Sequence, residues 1–251
     1  MSKHTLKDKV ALIGGGAKNL GGLISRTFAA DGAKIIVHYN SEATKDAADK
    51  TVADIESAGG SAIKVQGDFT KPAEIAAAFA LGMQTFGGID IAINTVGKVL
   101  KKPFMETTEE DYDSMAAINS KAAYFFIQEA GRQLNDGGKI CTIVTSLLAA
   151  YTGYYSTYGG MKAPVEHFTR AASKEFGSRG ISVNAVGPGP MDTPFFYGQE
   201  DANSVEYFKN GSALGGLTKI EDIVPLIKFL ATDGWWITGQ TIFANGGFVT
   251  R

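Results

Sequence analysis

The sequence predicts a single α/β domain, in which a doubly wound parallel sheet carries helices on both faces. Short runs rich in β-branched residues alternate with longer helical patterns along the whole chain of 251 residues. The strand runs are almost continuously apolar, as expected for strands that helices cover on both sides. Strand, helix and strand, repeated with short connections, favour parallel pairing through right-handed crossovers. Ligands are therefore expected at the carboxyl ends of the strands.

The strand predictions rest on short apolar runs. In chain order these runs are VALI (10–13), KIIVHY (34–39), SAIKVQ (61–66), IDIAIN (89–94), KICTIVT (139–145), ISVNAV (181–186) and a last short strand within GQTIFANGG (239–247). Helical patterns separate them over residues 20–32, 41–60, 72–88, 108–134 and 163–177, and a further helix is predicted over 221–232. Pro72 in a first turn and Thr108 before three acidic residues are typical helix starts. Gly32, Gly87 and Gly180 follow predicted helix ends.

Composition excludes several classes of function. The chain is 44% hydrophobic and 20% charged, with a net charge of −2, so it is typical of a globular protein and has no basic excess for nucleic acid or an anionic membrane. Its one cysteine, Cys141, permits neither an intrachain disulfide nor a cysteine-cluster metal site, and the three scattered histidines predict no metal. The first ten residues have no apolar signal core, and no run approaches the ~18 apolar residues of a membrane span, so a cytoplasmic location is expected.

A glycine-rich turn, GGGAKNLGG, follows the first predicted strand at residues 14–22. Glycines let the backbone approach a ligand closely, and the next helix offers free N–H groups and the positive end of its dipole to a pyrophosphate. The spacing departs from G-x-G-x-x-G because Asn19 stands in the third place, but Asn tolerates the left-handed conformation better than most residues. A ligand-free turn is the alternative. The position after the first strand favours a Rossmann-like dinucleotide site.

The end of the second predicted strand bears on the choice of cofactor. A carboxylate at this point binds the ribose 2′-OH of NAD, whereas here the segment is HYNS (38–41), without Asp or Glu. Lys18 lies in the glycine turn, where it would attract a 2′-phosphate. The sequence therefore favours NADP(H), with NAD(H) possible, in a pocket lined by Tyr39, Asn40 and Ser41.

Further motifs occur in order along the chain. They are GDF (67–69), NTVG (94–97), INS (118–120), IVTS (143–146), YGGMK (158–162), NAVGPGPMDTP (184–194) and ITGQTIFANGG (237–247). Together with the glycine turn, they resemble the motifs of the classical short-chain dehydrogenase/reductase family along the whole chain. The chain departs from the family pattern at Gly14, Asn19, Thr95 and Val96.

The resemblance implies a Rossmann-like fold and a nicotinamide cofactor, with Asp68 against the adenine and residues 188–193 against the nicotinamide. The expected cofactor contacts, with the Lys18 argument included, are Gly14, Gly15, Lys18, Asn19, Leu20, Gly21, Tyr39, Asn40, Ser41, Asp68, Phe69, Asn94, Gly97, Tyr158, Lys162, Pro188, Gly189, Met191 and Thr193.

The expected catalytic residues are Asn119, Ser146, Tyr158 and Lys162. A free tyrosine has a pKa of about 10, so it needs a nearby ammonium to lower that pKa if it is to exchange a proton near neutrality. Tyr158 and Lys162 are four residues apart and share one face of a helix. Ser146 ends a strand and would bind the substrate oxygen. The resemblance gives Asn119 a role in a proton relay through water with Lys162. The resulting expectation is a reversible reduction of a ketone or aldehyde to an alcohol.

Rival interpretations remain open. Tyr155 precedes Lys162 by seven residues, a spacing that resembles the divergent enoyl reductases of the same superfamily. The set of Ser146, Tyr158 and Lys162 is complete without it, and the Met expected three residues after the enoyl-type tyrosine is replaced by Tyr158 itself. A non-catalytic NAD(P)-binding regulator is a second rival, although such proteins typically lose the tyrosine or the lysine. A purely structural oligomer would leave the polar set unexplained.

A long segment near the carboxyl terminus, residues 190–217, is expected to be a substrate lid without a strong helical stripe. Its aromatic residues favour an apolar carbonyl substrate, although they could simply pack the lid on the core. The expected substrate pocket is Leu147, Tyr151, Tyr154, Phe195 and Phe196. A short-chain or aryl ketone, a sugar-derived carbonyl and a 3-oxoacyl thioester all remain open, and Lys98, Lys101 and Lys102 could give the last a basic entrance.

Two predicted helices carry apolar residues on more than one face, around SKAAYFFIQEAGRQL (120–134) and MKAPVEHFTRAASKEF (161–176). The resemblance implies assembly through these helices, so a homotetramer is expected.

Overall fold

The computed structural model describes residues 4–250, and its centre is one parallel sheet of seven strands. The strands are β1 (Val10–Gly14), β2 (Lys34–Tyr39), β3 (Ser61–Gln66), β4 (Ile91–Asn94), β5 (Lys139–Ile143), β6 (Ser182–Pro188) and β7 (Thr241–Ala244). Their spatial order is β3-β2-β1-β4-β5-β6-β7. The chain moves outward from β1 to one edge, returns to pair β4 with β1, and then moves to the other edge. This reversal between β1 and β4 opens a crevice at the carboxyl ends of the strands.

Helices flank the sheet on both faces. They are α1 (Asn19–Ala30), α2 (Lys45–Ser57), α3 (Pro72–Phe86), α4 (Glu109–Met115), α5 (Ala122–Gln133), α6 (Ser156–Glu175), α7 (Pro194–Tyr197), α8 (Ala202–Gly211) and α9 (Ile220–Ala231). One core packs α1, α2 and α9 against the strands, and a second packs α3, α5 and α6 against the opposite face.

The strands are apolar because both of their faces are buried. On β1, Ala11 and Ile13 belong to the first core while Leu12, between them, belongs to the second. Leu12 pairs with Ile36 on one side and Ala92 on the other, so the three strands are in register across the centre of the sheet. The predicted doubly wound, Rossmann-like fold is confirmed.

Two predicted elements differ from the structure. The helical pattern over 108–134 is not one α-helix, because a π-helical turn, Ala116–Lys121, separates α4 from α5. The segment 190–217, which we call the lid segment, was expected to lack strong helical structure but contains α7 and α8. Helix α8 has a capped start, since the Asp201 carboxylate accepts a hydrogen bond from the Ser204 N–H, and Phe208 is its one buried residue. One buried residue produces no helical stripe in the sequence.

No helix within residues 4–250 is both long enough and apolar enough to cross a membrane.

Candidate active site

A cavity of about 510 Å³ follows the carboxyl edge of the sheet. One end is lined by the glycine turn and the end of β2, including Lys18, Tyr39 and Asn40. The other end is lined by Ser146, Tyr158 and residues of the lid segment. The cavity thus joins the predicted cofactor and substrate regions in one continuous space.

The glycine turn reaches its shape only because side chains are absent at two points. Gly15 has a φ of +73°, in the left-handed region that favours glycine. A Cβ on Gly21 would lie 2.1 Å from the Gly15 carbonyl oxygen, so the first turn of α1 packs directly on the backbone of the glycine turn. Asn19 takes a φ of 49°, as its tolerance of the left-handed region predicts.

The His38 side chain lies behind the glycine turn and hydrogen-bonds to its backbone, a role that the sequence alone did not reveal. The Gly15 N–H donates to His38 Nδ1 at 2.9 Å, and His38 Nε2 lies 2.7 Å from the Gly67 carbonyl oxygen. Because Nδ1 accepts a hydrogen bond, Nε2 must carry the ring proton and donate it to Gly67. The ring also stacks on Phe69, with centroids 3.5 Å apart. The only sequence signal was a histidine in place of an aliphatic residue in an apolar strand.

Burial lowers the pKa of His38 from 6.5 to about 4, so the ring is neutral at physiological pH. Protonation would turn Nδ1 into a donor facing the Gly15 N–H and would break that hydrogen bond. The neighbouring carboxylates Asp68 and Glu74 oppose the shift but are outweighed by burial.

We expect this histidine to make folding stability pH-dependent. The unfolded chain binds a proton at His38 with a pKa of 6.5, whereas the folded chain binds it only near a pKa of about 4. The contribution is therefore present in full above pH 6.5 and is lost as the pH falls through this window, by about 2 kcal/mol at pH 5. The free energy of urea unfolding, measured from pH 7.5 to pH 5 for the parent and for His38→Gln, should fall more steeply in the parent. Equal slopes would contradict this assignment.

Some of the residues predicted to contact the adenosine side of the cofactor line the cavity, and others do not. Gly15, Lys18, Asn19, Leu20, Gly21, Tyr39, Asn40 and Gly97 line the cavity. Gly14, Ser41, Asp68, Phe69 and Asn94 are not among its lining residues. Phe69 is buried behind His38, the Asp68 carboxylate accepts hydrogen bonds from Thr70, and Asn94 accepts one from the Val96 N–H. These residues shape the loops behind the cavity in this structure.

Ser41 is a capping residue. Its N–H donates to the Thr44 hydroxyl at 3.3 Å, and the Thr44 hydroxyl donates to the Ser41 carbonyl at 3.0 Å. Thr44, which was not predicted, lines the cavity beside Asn40.

Three of the four predicted catalytic residues line the other end of the cavity. Tyr158 and Lys162 come from α6 and are buried, and Ser146 begins the short turn after β5. The Ser146 hydroxyl donates to the Gly187 carbonyl of β6 at 3.1 Å, and the Lys162 ammonium donates to the Ile143 carbonyl of β5 at 2.8 Å. The ends of two neighbouring strands therefore orient both side chains.

Asn119 lies behind them in the π-helical turn and is completely buried. Its side-chain amide forms a two-point bridge to Lys98, accepting from the N–H at 3.1 Å and donating to the carbonyl at 2.9 Å. A Cβ on Gly97 would lie 3.0 Å from Asn119 Oδ1 and 3.1 Å from Lys162 Nζ, so both groups border the same point. The extra residue of a π turn is what allows one helix position to face this point, a device that is frequent at functional sites.

Burial shifts both ionisable groups of the pair toward neutrality. It raises the pKa of Tyr158 to about 12, although a hydrogen bond from Thr145 partly opposes the shift. It lowers the pKa of Lys162 to about 8. The expected lowering of the Tyr158 pKa by the lysine is therefore not found in the chain by itself. Desolvation of the phenolate is the largest cause of this shift, so Tyr158 is held as a protonated acid.

The predicted nicotinamide segment lines the cavity at Pro188, Gly189, Met191 and Thr193. The Thr193 hydroxyl is buried and has no hydrogen-bond partner among residues 4–250. Buried hydroxyl groups are usually hydrogen-bonded, so this one is suited to bind a polar group of a ligand. Together with the glycine turn, it makes these residues fit a dinucleotide that carries a carboxamide.

The structure brings only some of the residues expected in the substrate pocket to the cavity. Leu147, Phe195 and Phe196 line the cavity, whereas Tyr151 and Tyr154 are 109% and 59% exposed and do not. Tyr154 has a φ of 68°, and its carbonyl accepts a hydrogen bond from the Lys102 N–H; the chain bends there and the side chain is exposed. The sequence did not identify Val99, Tyr155, Gln199, Phe208 and Phe248 as lining residues.

Comparison with known proteins agrees with this geometry. The sequence model of a family described as enoyl-(acyl carrier protein) reductase matches residues 15–249. A hydroxynaphthalene reductase-like protein of Metarhizium brunneum is 35% identical over 266 residues, covering 98% of this chain and 97% of the relative.

Two solved structures are also similar. A protein of Burkholderia cenocepacia solved with bound NADP is 60% identical, with a TM-score of 0.97, and the match covers 100% of this chain and 97% of the other. The angucycline C-6 ketoreductase LanV, also solved with bound NADP, is 31% identical, with a TM-score of 0.90 and coverage of 98% and 97%. On the fold, the site and these matches, the chain belongs to the short-chain dehydrogenase/reductase family and is an oxidoreductase of that family.

Proposed function

We propose that this protein reduces a ketone or aldehyde to the alcohol, reversibly, with NADP(H) as the favoured cofactor. The observation that carries the proposal is one continuous cavity with the glycine turn at one end and Ser146, Tyr158 and Lys162 at the other. A hydride donor held along this cavity would end beside a buried acid. Few other reactions need a dinucleotide-binding turn at one end of a cavity and a buried acid at the other.

The cofactor preference rests on the adenosine end of the cavity. Lys18 and Asn40 line it, and the residue after β2 is an amide where NAD-binding proteins carry a carboxylate. Both solved relatives described above hold NADP. The glycine turn would hold the pyrophosphate, and Thr193 the nicotinamide carboxamide, as its unpaired hydroxyl suggests. NAD(H) remains the secondary cofactor.

In this proposal the cofactor supplies the hydride and the chain supplies position and a proton. Tyr158, kept protonated by burial, donates its proton to the oxygen on which negative charge develops. The Ser146 hydroxyl leaves the Gly187 carbonyl and hydrogen-bonds that oxygen. Lys162 stabilises the phenolate that remains, and the buried Asn119 beside it orients water for the return of the proton.

An aromatic or cyclic ketone fits the substrate end best. Phe195, Phe196, Phe208 and Phe248 line it together with Tyr155, and such walls favour flat apolar molecules. The two named relatives, a hydroxynaphthalene reductase-like protein and an angucycline ketoreductase, have names that point in the same direction.

The alternative of a 3-oxoacyl thioester on a carrier protein needs a basic entrance. Lys101 and Lys102 are paired with Glu200 and Asp111 and are therefore less suited to hold an acidic carrier. We keep this substrate as the second choice.

The test is a substrate panel followed through the loss of NADPH absorbance, with cyclic aryl ketones, short-chain ketones, aldehydes and an acetoacetyl thioester. Turnover of cyclic aryl ketones above the others is expected. Reduction of the thioester alone would favour the alternative, and NADPH binding without turnover of any carbonyl would favour a non-catalytic regulator.

Enoyl reduction is the second candidate reaction, supported by the Tyr155–Lys162 spacing and by the description of the matching family. The phenol of Tyr155, however, donates to the Glu200 carboxylate. A crotonyl thioester in the same panel separates the two reactions.

We also propose a homotetramer, as the resemblance implied. Tyr124 of α5 is 45% exposed and lies edge-to-face on Phe168 of α6, which leaves an apolar surface across these two helices. Light scattering measures the mass, and a monomer would contradict this assembly. The cytoplasmic location stays a prediction from the sequence.

A further inference from the structure

Glu200 is an unusual residue for a surface segment. Within the lid segment it lies between helices α7 and α8, yet its side chain is 0% exposed. A buried carboxylate is costly unless charged and hydrogen-bonding partners replace water. Glu200 has one of each, and they come from two different parts of the chain, the loop after β4 and the residue before α6.

The first partner is Lys101, in the loop that follows β4. Its ammonium lies 2.5 Å from Glu200 Oε2 and also donates to the Ser204 hydroxyl at the start of α8, at 3.3 Å. The Lys101 N–H donates to the Gln199 side-chain oxygen at 2.9 Å. Lys101 thus contacts three residues of the lid segment, Gln199, Glu200 and Ser204.

The second partner is Tyr155, the residue immediately before α6. Its hydroxyl donates to Glu200 Oε1, while its ring lines the cavity. Tyr155 also packs near Tyr158, with ring centroids 6.4 Å apart, and Tyr158 lies at the same centroid distance from Phe195 of the lid segment. A contact that holds Tyr155 therefore also holds the wall next to the proposed proton donor.

We propose that Glu200 is a positioning residue that clasps the lid segment over the substrate end of the cavity. Its two carboxylate oxygens join the lid to the β4 loop through Lys101 and to the catalytic helix through Tyr155. The clasp keeps Phe195 and Phe196 against the substrate. It acts on substrate binding and not on the proton transfer, and for the identity of the substrate it rests on the function proposed above.

Tyr155 thus has a role that its spacing from Lys162 did not reveal. The residue seven positions before Lys162 serves the lid, and its phenol is committed to Glu200. A tyrosine held in this way lines the pocket but does not donate the proton to substrate.

The test uses two variants that each remove one half of the clasp, Glu200→Gln and Tyr155→Phe. Lid opening is measured as the rate of tryptic cleavage after Lys209, an exposed residue of α8, with fragments identified by mass. Each variant should raise this rate about 10-fold, because a hydrogen bond to a buried charge contributes that much to an equilibrium. The KM for the best ketone of the panel should also rise, since only the closed fraction binds well, but by a smaller factor than the cleavage rate as long as the closed lid predominates. The kcat should stay within about 3-fold, and the Kd for NADPH should not change.

Helix α8, which carries the cleavage site at Lys209, also offers matched control positions. Glu206→Gln removes a carboxylate charge and Tyr207→Phe removes a phenolic hydroxyl, both from exposed residues of α8. Both variants should match the parent in cleavage rate and KM. The double variant Glu200→Gln/Tyr155→Phe removes both halves, so it should be affected at least as strongly as the more affected single variant, but by less than the product of the two single effects, because both halves share one carboxylate.

Parent-like cleavage and KM in both single variants would overturn the clasp, as would a loss confined to kcat. If the parent reduces no carbonyl at all, the proposed function fails, and the cleavage rates still decide whether the clasp exists.

Discussion

Tyr158→Phe should abolish most of the turnover and leave cofactor binding intact. The change removes one oxygen atom from a buried ring that burial keeps protonated, with a pKa raised to about 12. Loss of a general acid costs about 10²–10⁴-fold in rate. We therefore expect kcat to fall by that factor with the preferred ketone, while the Kd for NADPH, followed by fluorescence titration, stays close to that of the parent.

Two other tyrosines of the same stretch make this result specific. Tyr151→Phe changes a fully exposed residue and should leave kcat unchanged. Tyr155→Phe should change KM through the lid and retain kcat. An active Tyr158→Phe together with an inactive Tyr155→Phe would reverse the assignment and favour the enoyl-type arrangement.

Gly21→Ala should produce the largest loss of cofactor affinity among single-methyl changes in the glycine turn. The added Cβ would lie 2.1 Å from the Gly15 carbonyl oxygen, 2.8 Å from its carbonyl carbon and 2.9 Å from the Thr95 hydroxyl. No rotamer relieves a clash with backbone, so the turn itself must move. Displacing the N–H groups that would hold a pyrophosphate removes charge-assisted hydrogen bonds, and losing two of them weakens binding about 100-fold.

The neighbouring glycine provides the control. In Gly22→Ala the closest atom, the Ala17 carbonyl oxygen, would be 3.2 Å away, a contact that a small shift can relieve. Alanine also favours a helix more than glycine does, which offsets part of the cost. The Kd for NADPH and the free energy of unfolding are measured for both variants. A Gly21→Ala protein that binds NADPH as tightly as Gly22→Ala does would show that the tight packing of α1 on the turn is not needed for the cofactor.

The sequence was a good guide wherever local pattern decides structure. Continuous apolar runs such as VALI predicted strands because burial on both faces removes the alternation of polar and apolar residues. The Tyr158–Lys162 spacing predicted a shared helix face, and the structure places both on α6 with Ser146 across the cavity. Gly15 and Asn19 were predicted from the conformations that their residue types allow, and both have positive φ.

Local pattern did not predict the structure where one residue type is compatible with several environments. Tyr151, Tyr154, Tyr155 and Tyr158 form one short stretch, and nothing in their identity separates solvent, clasp and catalysis. At Tyr154 the chain bends with a positive φ and the side chain is exposed, whereas the Tyr155 hydroxyl donates to Glu200, which is distant in sequence. The π turn at Ala116–Lys121 was also not predicted, since the residues over 108–134 were interpreted as one continuous helical pattern.

The sequence by itself determined the fold class and the family motifs, because each depends on residue type and on spacing along the chain, and it predicted the catalytic set. Only the tertiary structure decided which groups are paired and which are desolvated. His38 is neutral because burial disfavours its charged form, and Glu200 is held because Lys101 of the loop after β4 and Tyr155 before α6 both contact it. Burial and pairing depend on segments that are far apart in the chain, so no local pattern of residues encodes them.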